Sequence, residues 1–416
     1  MSDKKRKVAS IKGTRDILPP ETRTWQRVEQ VCSDVYELYG YRQIRTPVFE
    51  ATELFEKGTG ETSDIVTKEM YTFTDKGGRS LTLRPEYTPS VVRAIMQNRL
   101  YLKPEPMRFY FIGPMFRYDK PQKGRFRQFH QADIEVFGEE DPAVDAEIVE
   151  MADYMLKKVG VAEFRILVNS VGCMKCRPPY FKDLRNAAKA GEKELCPDCR
   201  SKVDINPLRI FDCKQESCRE ASKEFPLITD YLCRGCREHF EGFQKYLDVY
   251  GLSYRVDPRL VRGLDYYTKS TFEIISSQMG AQDAVLGGGR YDDLMKIYGG
   301  PDICGIGFAM GMERLLSLVP GQRDSTDFIY IAFRDDASKQ KAMTLAEILR
   351  RQDIECLIEY KDRSLGKQLS RANKLKASWS VIIGEEELHK QVYQLKNMRS
   401  GEQHEVTESE LLEKLR

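Results

Sequence analysis

Eight cysteines crowded between Cys173 and Cys236 constrain this chain more than any other feature. They fall as Cys173-x-x-Cys176, Cys196-x-x-Cys199, then Cys213 and Cys218 with four residues between them, then Cys233-x-x-Cys236. Such a cluster is either a disulfide framework or a set of metal ligands. The N-terminus, MSDKKRKVAS, lacks the apolar core of a secretion signal, and its KKRK run reads as a solvated basic tail. A cytoplasmic chain is therefore expected, and disulfides are disfavoured there. The cluster reads instead as a Zn2+ site. The first two CxxC pairs, nineteen residues apart, match a four-cysteine pattern. Eight thiols make two tetrahedral sites, sequential or interleaved, with His239 as an alternative ligand next to Cys236. Closed four-thiolate coordination leaves no open position, so the expected role is structural. Buried free thiols are the competing reading.

The cysteine segment also divides a longer pattern. The full chain of 416 residues exceeds what one core serves, so several domains are expected. Before the cysteines, the spacing predicts an amphipathic helix over 24–39 and strands over 41–50, 79–88, 107–119 and 128–138. A helix over 141–160 then opens on an Asp cap and a first-turn Pro. Past the cysteines, strands return at 270–275 and 282–294, and 303–319 reads as a glycine-bearing strand entering a helix. Beyond a polar linker at 320–327, buried strands alternate with helices. The expectation is an α+β catalytic domain on an antiparallel sheet with flanking helices, a cysteine-rich insertion and a C-terminal α/β domain with a mixed sheet. Its segments are 1–170, 171–250, 251–322 and 327–416. No apolar run approaches the length of a membrane span. A net charge of +2 excludes a generally basic nucleic-acid binder, so any such surface is local.

One local basic surface stands out. In MFRYDKPQKGRFRQFHQADIEVFG (115–138), two apolar strands flank a loop holding Lys120, Lys123, Arg125 and Arg127 against one acid, Asp119. Such a hairpin suits a polyphosphate or a nucleic-acid end. On the returning strand, Gln131 and Glu135 are four apart and share a face. The four histidines have no catalytic spacing and no Ser–His–Asp set is evident.

FRYDKPQKGRFRQFHQADIEVFG resembles motif 2 of the class II aminoacyl-tRNA synthetases, GIGFAMGMERL (305–315) motif 3, and IRTPVFE (44–50) motif 1, which forms the dimer interface in that class. LVRGLDYYT (260–268) and GGGRYDDL (287–294) are similar to the two histidine-specific motifs of the histidyl-tRNA synthetase family, and IKGTRDILP (11–19) and TLRPEYT (82–88) match it too. The resemblance spans nearly the whole chain in family order.

That resemblance implies a two-step reaction. Histidine attacks the α-phosphate of ATP, which carries Mg2+, to give histidyl-adenylate and pyrophosphate; a terminal ribose hydroxyl of tRNA(His) then takes the histidyl group. The partners implied are L-histidine, ATP, tRNA(His) and a second copy in a homodimer. By resemblance Arg117 clamps the α-phosphate, Arg125 meets the β- and γ-phosphates, and Arg127 and Gln128 approach the tRNA acceptor end. Phe129 and Arg314 sandwich adenine, and Arg262 is the cation at the transition state. Glu135, Tyr267 and Tyr291 serve the imidazole, which offers one donor and one acceptor. Glu86 and Thr88, helped by Gln131, hold the α-amino group. The bland alternatives are an Arg117–Asp119 surface pair, an Arg262–Asp265 structural pair, a core Phe129 and solvent-facing strand carboxylates. The glycines of 287–289 and 305–311 are expected to admit a ligand close to the backbone. The basic run at 360–376 suggests phosphate contact in a C-terminal domain that resembles the anticodon-binding domain. The competing family reading is the synthetase-like regulatory subunit of ATP phosphoribosyltransferase, which generally lacks that domain.

Overall fold

Ala132, Ile134 and Val136 alternate with Gln131, Asp133 and Glu135 along one strand, and this period of two sets the two faces of the larger sheet. The computed structural model describes residues 8–59, 63, 65–122, 124–279, 284–320, 328–361 and 363–415. The basic tail at 1–7, Lys123 and the linker at 321–327 lie outside them. The chain forms two compact units, Met1–Pro320 and Gly321–Arg416.

In the first unit the strands are β1 (Arg42–Gln43), β2 (Phe49–Ala51), β3 (Tyr71–Thr74), β4 (Ser80–Leu83), β5 (Met107–Phe116), β6 (Gln128–Phe137), β7 (Arg165–Ser170), β8 (Tyr254–Val256), β9 (Thr268–Ile275), β10 (Ala284–Arg290) and β11 (Gly305–Gly311). Eight of them form one sheet in the order β1-β5-β6-β11-β10-β9-β7-β8, and β2-β4-β3 form a small second one. From β5 to β7 all neighbours run antiparallel; only the edge pairs β1–β5 and β7–β8 are parallel. The cysteine segment leaves this sheet at the end of β7 and re-enters on the adjacent β8, so it adds to the sheet's rim without breaking it.

One face of the sheet is apolar. Ala132, Ile134, Ile306, Phe308, Met310 and Phe272 pack there against helix Glu21–Leu38, through Trp25, Val28, Cys32 and Val35, and against helix Pro142–Lys158. Asp141 caps the latter helix by accepting from the Ala143 N–H at 2.8 Å, with Pro142 in its first turn. The expected strand at 41–50 is instead two short pieces in different sheets, separated around Pro47, which cannot donate to a ladder. The expected strand at 79–88 ends at Leu83, and helix Thr88–Gln97 begins where Pro89 favours a first turn.

Buried in the apolar face is an ion pair that the sequence pattern does not reveal. Arg290 and Asp145 are both fully buried, with Arg290 Nη2 2.6 Å from Asp145 Oδ2. Arg290 also donates to the Glu139 and Asp141 carbonyls, at 2.8 and 3.2 Å. His239 Nε2 lies 3.1 Å from the same carboxylate. Burial pushes the Asp145 carboxyl up, but His239 and Arg290 more than offset it and hold it below the usual range. Strand β10, helix Pro142–Lys158 and the insertion's last helix, Arg234–Val249, are tied at this point. Arg290→Ala should lose about 3–5 kcal/mol of stability in chemical denaturation, because Asp145 is left charged and buried. A loss below about 1 kcal/mol would contradict the pairing.

The second unit has β12 (Ile329–Phe333), β13 (Cys356–Ile358), β14 (Trp379–Ile383), β15 (Tyr393–Asn397) and β16 (Gln403–Val406) in the order β13-β12-β14-β15-β16. The first three are parallel and the last two antiparallel, giving a mixed sheet. Helix Asp336–Arg350 covers it, started by a capping box between Asp335 and Ser338. The β15–β16 hairpin escapes the sequence reading because most of its residues are polar and partly exposed.

Candidate active site

The second face of the large sheet is where the polar residues gather. Register places Gln131, Asp133 and Glu135 of β6 opposite Gly311, Ala309 and Gly307 of β11. Ala309 in turn pairs with Gly287 of β10, and Gly287 with Glu273 of β9. A strip of glycine therefore runs across the middle of this face. These glycines seat the protein's own side chains. A Cβ on Gly307 would collide with the Glu135 carboxylate, and one on Gly287 with the Arg262 guanidinium. The absence of a side chain is what lets each functional group lie flat on the sheet.

Two carboxylate nests stand on this floor. Glu135 accepts hydrogen bonds from the Thr88 hydroxyl and the Tyr291 hydroxyl. Glu86 accepts from the Thr59 hydroxyl and, at 2.9 Å, from Tyr266. Thr88 opens helix Thr88–Gln97, which brings 86 and 88 over the β6 row. Asp133 sits between, accepting from the Met310 N–H at 3.2 Å. Gln131 Oε1 is buried with no partner among the described residues. All three carboxyls are buried. Burial, reinforced by the Glu86 charge and opposed by the Thr88 and Tyr291 hydrogen bonds, pushes Glu135 up to about 8. Burial likewise raises Glu86 and, with the Glu135 charge, Asp133. Tyr267 is buried in the same field, its hydroxyl pushed up to about 12 by burial. Such a slot, rich in acceptors and poor in counter-charge, suits a ligand that brings positive charge and N–H donors.

Four guanidinium groups stand beside it. Arg117 Nε donates to the Pro85 carbonyl at 2.8 Å, and its Cζ lies 5.3 Å from the centre of the Phe129 ring. Arg262 is paired with Glu273, and its Nε is buried without a partner among the described residues. Arg314 Nη1 donates to the Ala284 carbonyl at 2.8 Å. The Arg314 guanidinium is held below its ordinary value by burial and by the positive charges of Arg125, Arg117 and Arg262, against the pull of Glu273. Gly287 seats Arg262 on this face, and Gly311 at the end of β11 and Gly124 beside Arg125 both lie against the Arg314 side chain, which sets these groups on the same side of the sheet. Arg117 also acts on Glu86 and Asp133, and Arg262 on Tyr267, so the cations and the carboxylate slot adjoin.

The bland pairings are not those observed. Asp119 pairs with Arg125 at 2.8 Å, not with Arg117. Asp265 takes Arg209 at 3.0 Å, leaving Arg262 to Glu273. Arg127 lies over the Tyr118 ring, 3.9 Å from its centre, and Gln128 is exposed. Sequence reasoning passed over Tyr266, Thr59, Asp133 and Glu273. Asp133 was legible, since it shares the phase of Gln131 and Glu135.

The cysteines resolve into a nested pairing. Cys173, Cys176, Cys233 and Cys236 form one group and Cys196, Cys199, Cys213 and Cys218 the other, with the sulfurs of each within 4.8 Å of one another. The outer group thus joins the first and last CxxC, and all eight thiols are free. Sulfur separations are 3.8 Å for Cys173–Cys176, 3.9 Å for Cys173–Cys233 and 3.9 Å for Cys196–Cys213. Backbone N–H groups point at the sulfurs, Cys196 to Cys218 at 3.0 Å and Cys233 to Cys176 at 3.1 Å. Backbone donation, from Cys199 to Cys196 and from Cys236 to Cys233, pulls the Cys196 and Cys233 thiols down to about 7. His239 is no alternative ligand: its ring is turned to Asp145.

The family model for histidyl-tRNA synthetase matches residues 13–176 and 214–315, and that for the anticodon binding domain matches 324–416. The break between 176 and 214 falls within the cysteine segment. The chain is 47% identical to the histidine–tRNA ligase of Halothermothrix orenii, over 98% of this chain and 99% of that protein. It is 48% identical to that of Caldanaerobacter subterraneus subsp. tengcongensis, over 96% and 97%. The apo histidyl-tRNA synthetase of S. aureus has the same fold, with a TM-score of 0.82 at 34% identity over 98% of this chain and 99% of that one. The chain belongs to the histidyl-tRNA synthetase family.

Proposed function

We propose that this face activates L-histidine with ATP and then charges tRNA(His). A histidine carboxylate oxygen forms a bond to the α-phosphorus, the bond to the β-phosphate oxygen breaks, and pyrophosphate leaves. A ribose hydroxyl of the tRNA then attacks the carbonyl carbon and AMP departs. Arg117 and Arg262 hold the α-phosphate from fixed positions and stabilise the charge that develops there, which is worth more on a preorganised protein group than in water. Arg125 meets the outer phosphates, and Phe129 with Arg314 holds adenine. Glu135, Tyr291 and Tyr267 take the imidazole nitrogens, and Glu86, Thr88 and Gln131 the α-ammonium. A slot whose buried polar groups go unpaired rejects other amino acids by large factors. Mg2+ bound with ATP would neutralise phosphate charge, and Glu273, which pairs with Arg262, is a carboxylate that would offer it an oxygen ligand.

The observation that carries this reading is the seating of Arg262, Arg314 and the Glu135 carboxylate against one glycine-floored face, beside buried Glu86 and Asp133. The anticodon-domain match favours it over the regulatory subunit of ATP phosphoribosyltransferase. Exposed Val48, Phe49 and Phe73 in and beside the motif 1 segment support a homodimer. Among the described residues no helix is long and apolar enough to cross a membrane, in keeping with cytoplasmic work. Each thiolate group holds one structural Zn2+. At a Zn–S bond of about 2.3 Å a tetrahedron has edges of about 3.8 Å, which the sulfur separations of 3.8–3.9 Å match and a disulfide does not. Amino-acid-dependent ATP–pyrophosphate exchange across the twenty amino acids tests the function. Histidine alone should stimulate it; stimulation by another amino acid, or by none, overturns the reading.

A further inference from the structure

The two thiolate groups do more than close the insertion on itself. Each lies next to residues that reach out to one segment, 259–267, which carries Arg262, Tyr266 and Tyr267. From the outer group, Arg177 follows Cys176 directly, and its guanidinium donates to the Val171 carbonyl at 3.2 Å and to the Tyr267 carbonyl. Gly172, at φ +65°, has no room for a Cβ beside Cys176, and its carbonyl accepts from the Lys269 N–H at 2.9 Å. From the inner group, the stretch between Cys199 and Cys213 supplies Arg209 and Asn206. Arg209 Nη2 donates to the Gly263 carbonyl at 2.5 Å and to Asp265 at 3.0 Å, and Asn206 donates to Asp265 at 2.7 Å. Arg259 returns the contact, donating to the Ser222 and Lys223 carbonyls at 3.3 and 2.5 Å.

On its other side the segment is held by Asn169, which donates to the Leu260 carbonyl at 2.9 Å, by the Arg262–Glu273 pair, and by the packing of Tyr266 and Tyr267. A cavity of about 220 Å3 separates it from the insertion, lined among others by Arg177, Asn206, Arg209, Arg262 and Tyr267. On the insertion side, directional hydrogen bonds around this cavity set where the segment sits. Arg177 is the first residue of helix Arg177–Ala190, whose start is set by the cysteine knuckle, and Arg209 sits in a short 3-10 turn.

We infer that the two metal ions form a brace that sets the position of the 259–267 segment, so that metal occupancy governs histidine binding and adenylate formation at a distance. Arg177, Arg209 and Asn206 are positioning residues in this device. The inference rests on the reading of the face as the histidine and ATP site. Loss of metal releases the knuckles, the arginines lose their fixed origin, and Arg262 and Tyr267 leave their seats beside Gly287 and Gly289.

The test uses the full chain under reducing conditions. Metal analysis should find two zinc ions per chain. Hydrogen–deuterium exchange, read without substrates, should show 257–269 protected in the zinc-loaded protein. After chelation that segment should exchange at least about tenfold faster, while β5 and β6 keep their protection, and zinc should restore it. Arg209→Ala should keep both zinc ions, lose the protection, and both raise the KM for histidine and lower kcat for adenylate formation at least about tenfold, since Tyr267 and Arg262 shift together. Arg209→Lys, which can still reach one acceptor, should recover part of it. Fewer than two zinc ions with all eight thiols titrating would overturn the metal sites. Unchanged protection of 257–269 after metal removal, or in Arg209→Ala, would overturn the brace. An enzyme lacking histidine-dependent exchange would defeat the catalytic reading while leaving the metal and protection measurements to stand or fall separately.

Discussion

Arg262→Ala should lower histidine-dependent pyrophosphate exchange roughly 100- to 1000-fold, the usual cost of removing one preorganised group that stabilises transition-state charge. The fold should survive. Arg262 contributes its charge at the edge of a solvent-reached site, and its partner Glu273 keeps about a fifth of its side-chain surface exposed, so the carboxylate left behind can be hydrated. The loss should appear in kcat for adenylate formation more than in the KM for histidine, because the guanidinium addresses the phosphate. Thermal unfolding should be close to that of the parent. Near-normal exchange in this variant would remove Arg262 from the chemistry.

Glu135→Gln should raise the KM for histidine on the order of 100-fold and change its pH dependence. In the free site, burial holds the Glu135 carboxyl up at about 8, so it is largely protonated at neutral pH. The neutral carboxyl can still accept through its carbonyl oxygen, but the ionised form accepts an imidazole N–H more strongly. The affinity for histidine should therefore improve as pH rises from about 6 and level off above about 8. Glutamine has no proton to lose in this range, so that limb should flatten in the variant. Identical pH profiles in the two proteins would show that Glu135 does not face the ring. The fold should tolerate the change, since glutamine keeps an oxygen able to accept from Thr88 or Tyr291.

Much of this was legible in the sequence, for definite reasons. Strands β5 and β6 are long, β5 almost wholly apolar and β6 alternating over 131–136, so the hairpin and its basic loop could be read at once. What could not be read was set by contacts far apart in the chain. The Arg290–Asp145 pair joins residues 145 positions apart, and nothing in the local pattern of GGGRYDDL marks its arginine as buried. The nesting of the cysteines is likewise a matter of chain path: three CxxC pairs and the wider Cys213–Cys218 pair suit sequential and interleaved sites alike, and only the return of the segment beside β7 brings Cys233 to Cys173. Glycines 287 and 307 were read as room for a ligand; in the structure they make room for Arg262 and Glu135. That difference arises because the glycine marks only that something approaches, and the approaching group is named by register across strands.

The central claim is that Arg117 and Arg262 address one phosphorus beside a slot that imidazole alone satisfies. A crystal structure with a non-hydrolysable histidyl-adenylate analogue tests it most directly. The account predicts both guanidinium groups within hydrogen-bonding distance of the group replacing the α-phosphate, the imidazole between Glu135 and Tyr267, and the α-ammonium at Glu86. An analogue bound elsewhere, or seated here with its imidazole turned away from Glu135, would contradict it.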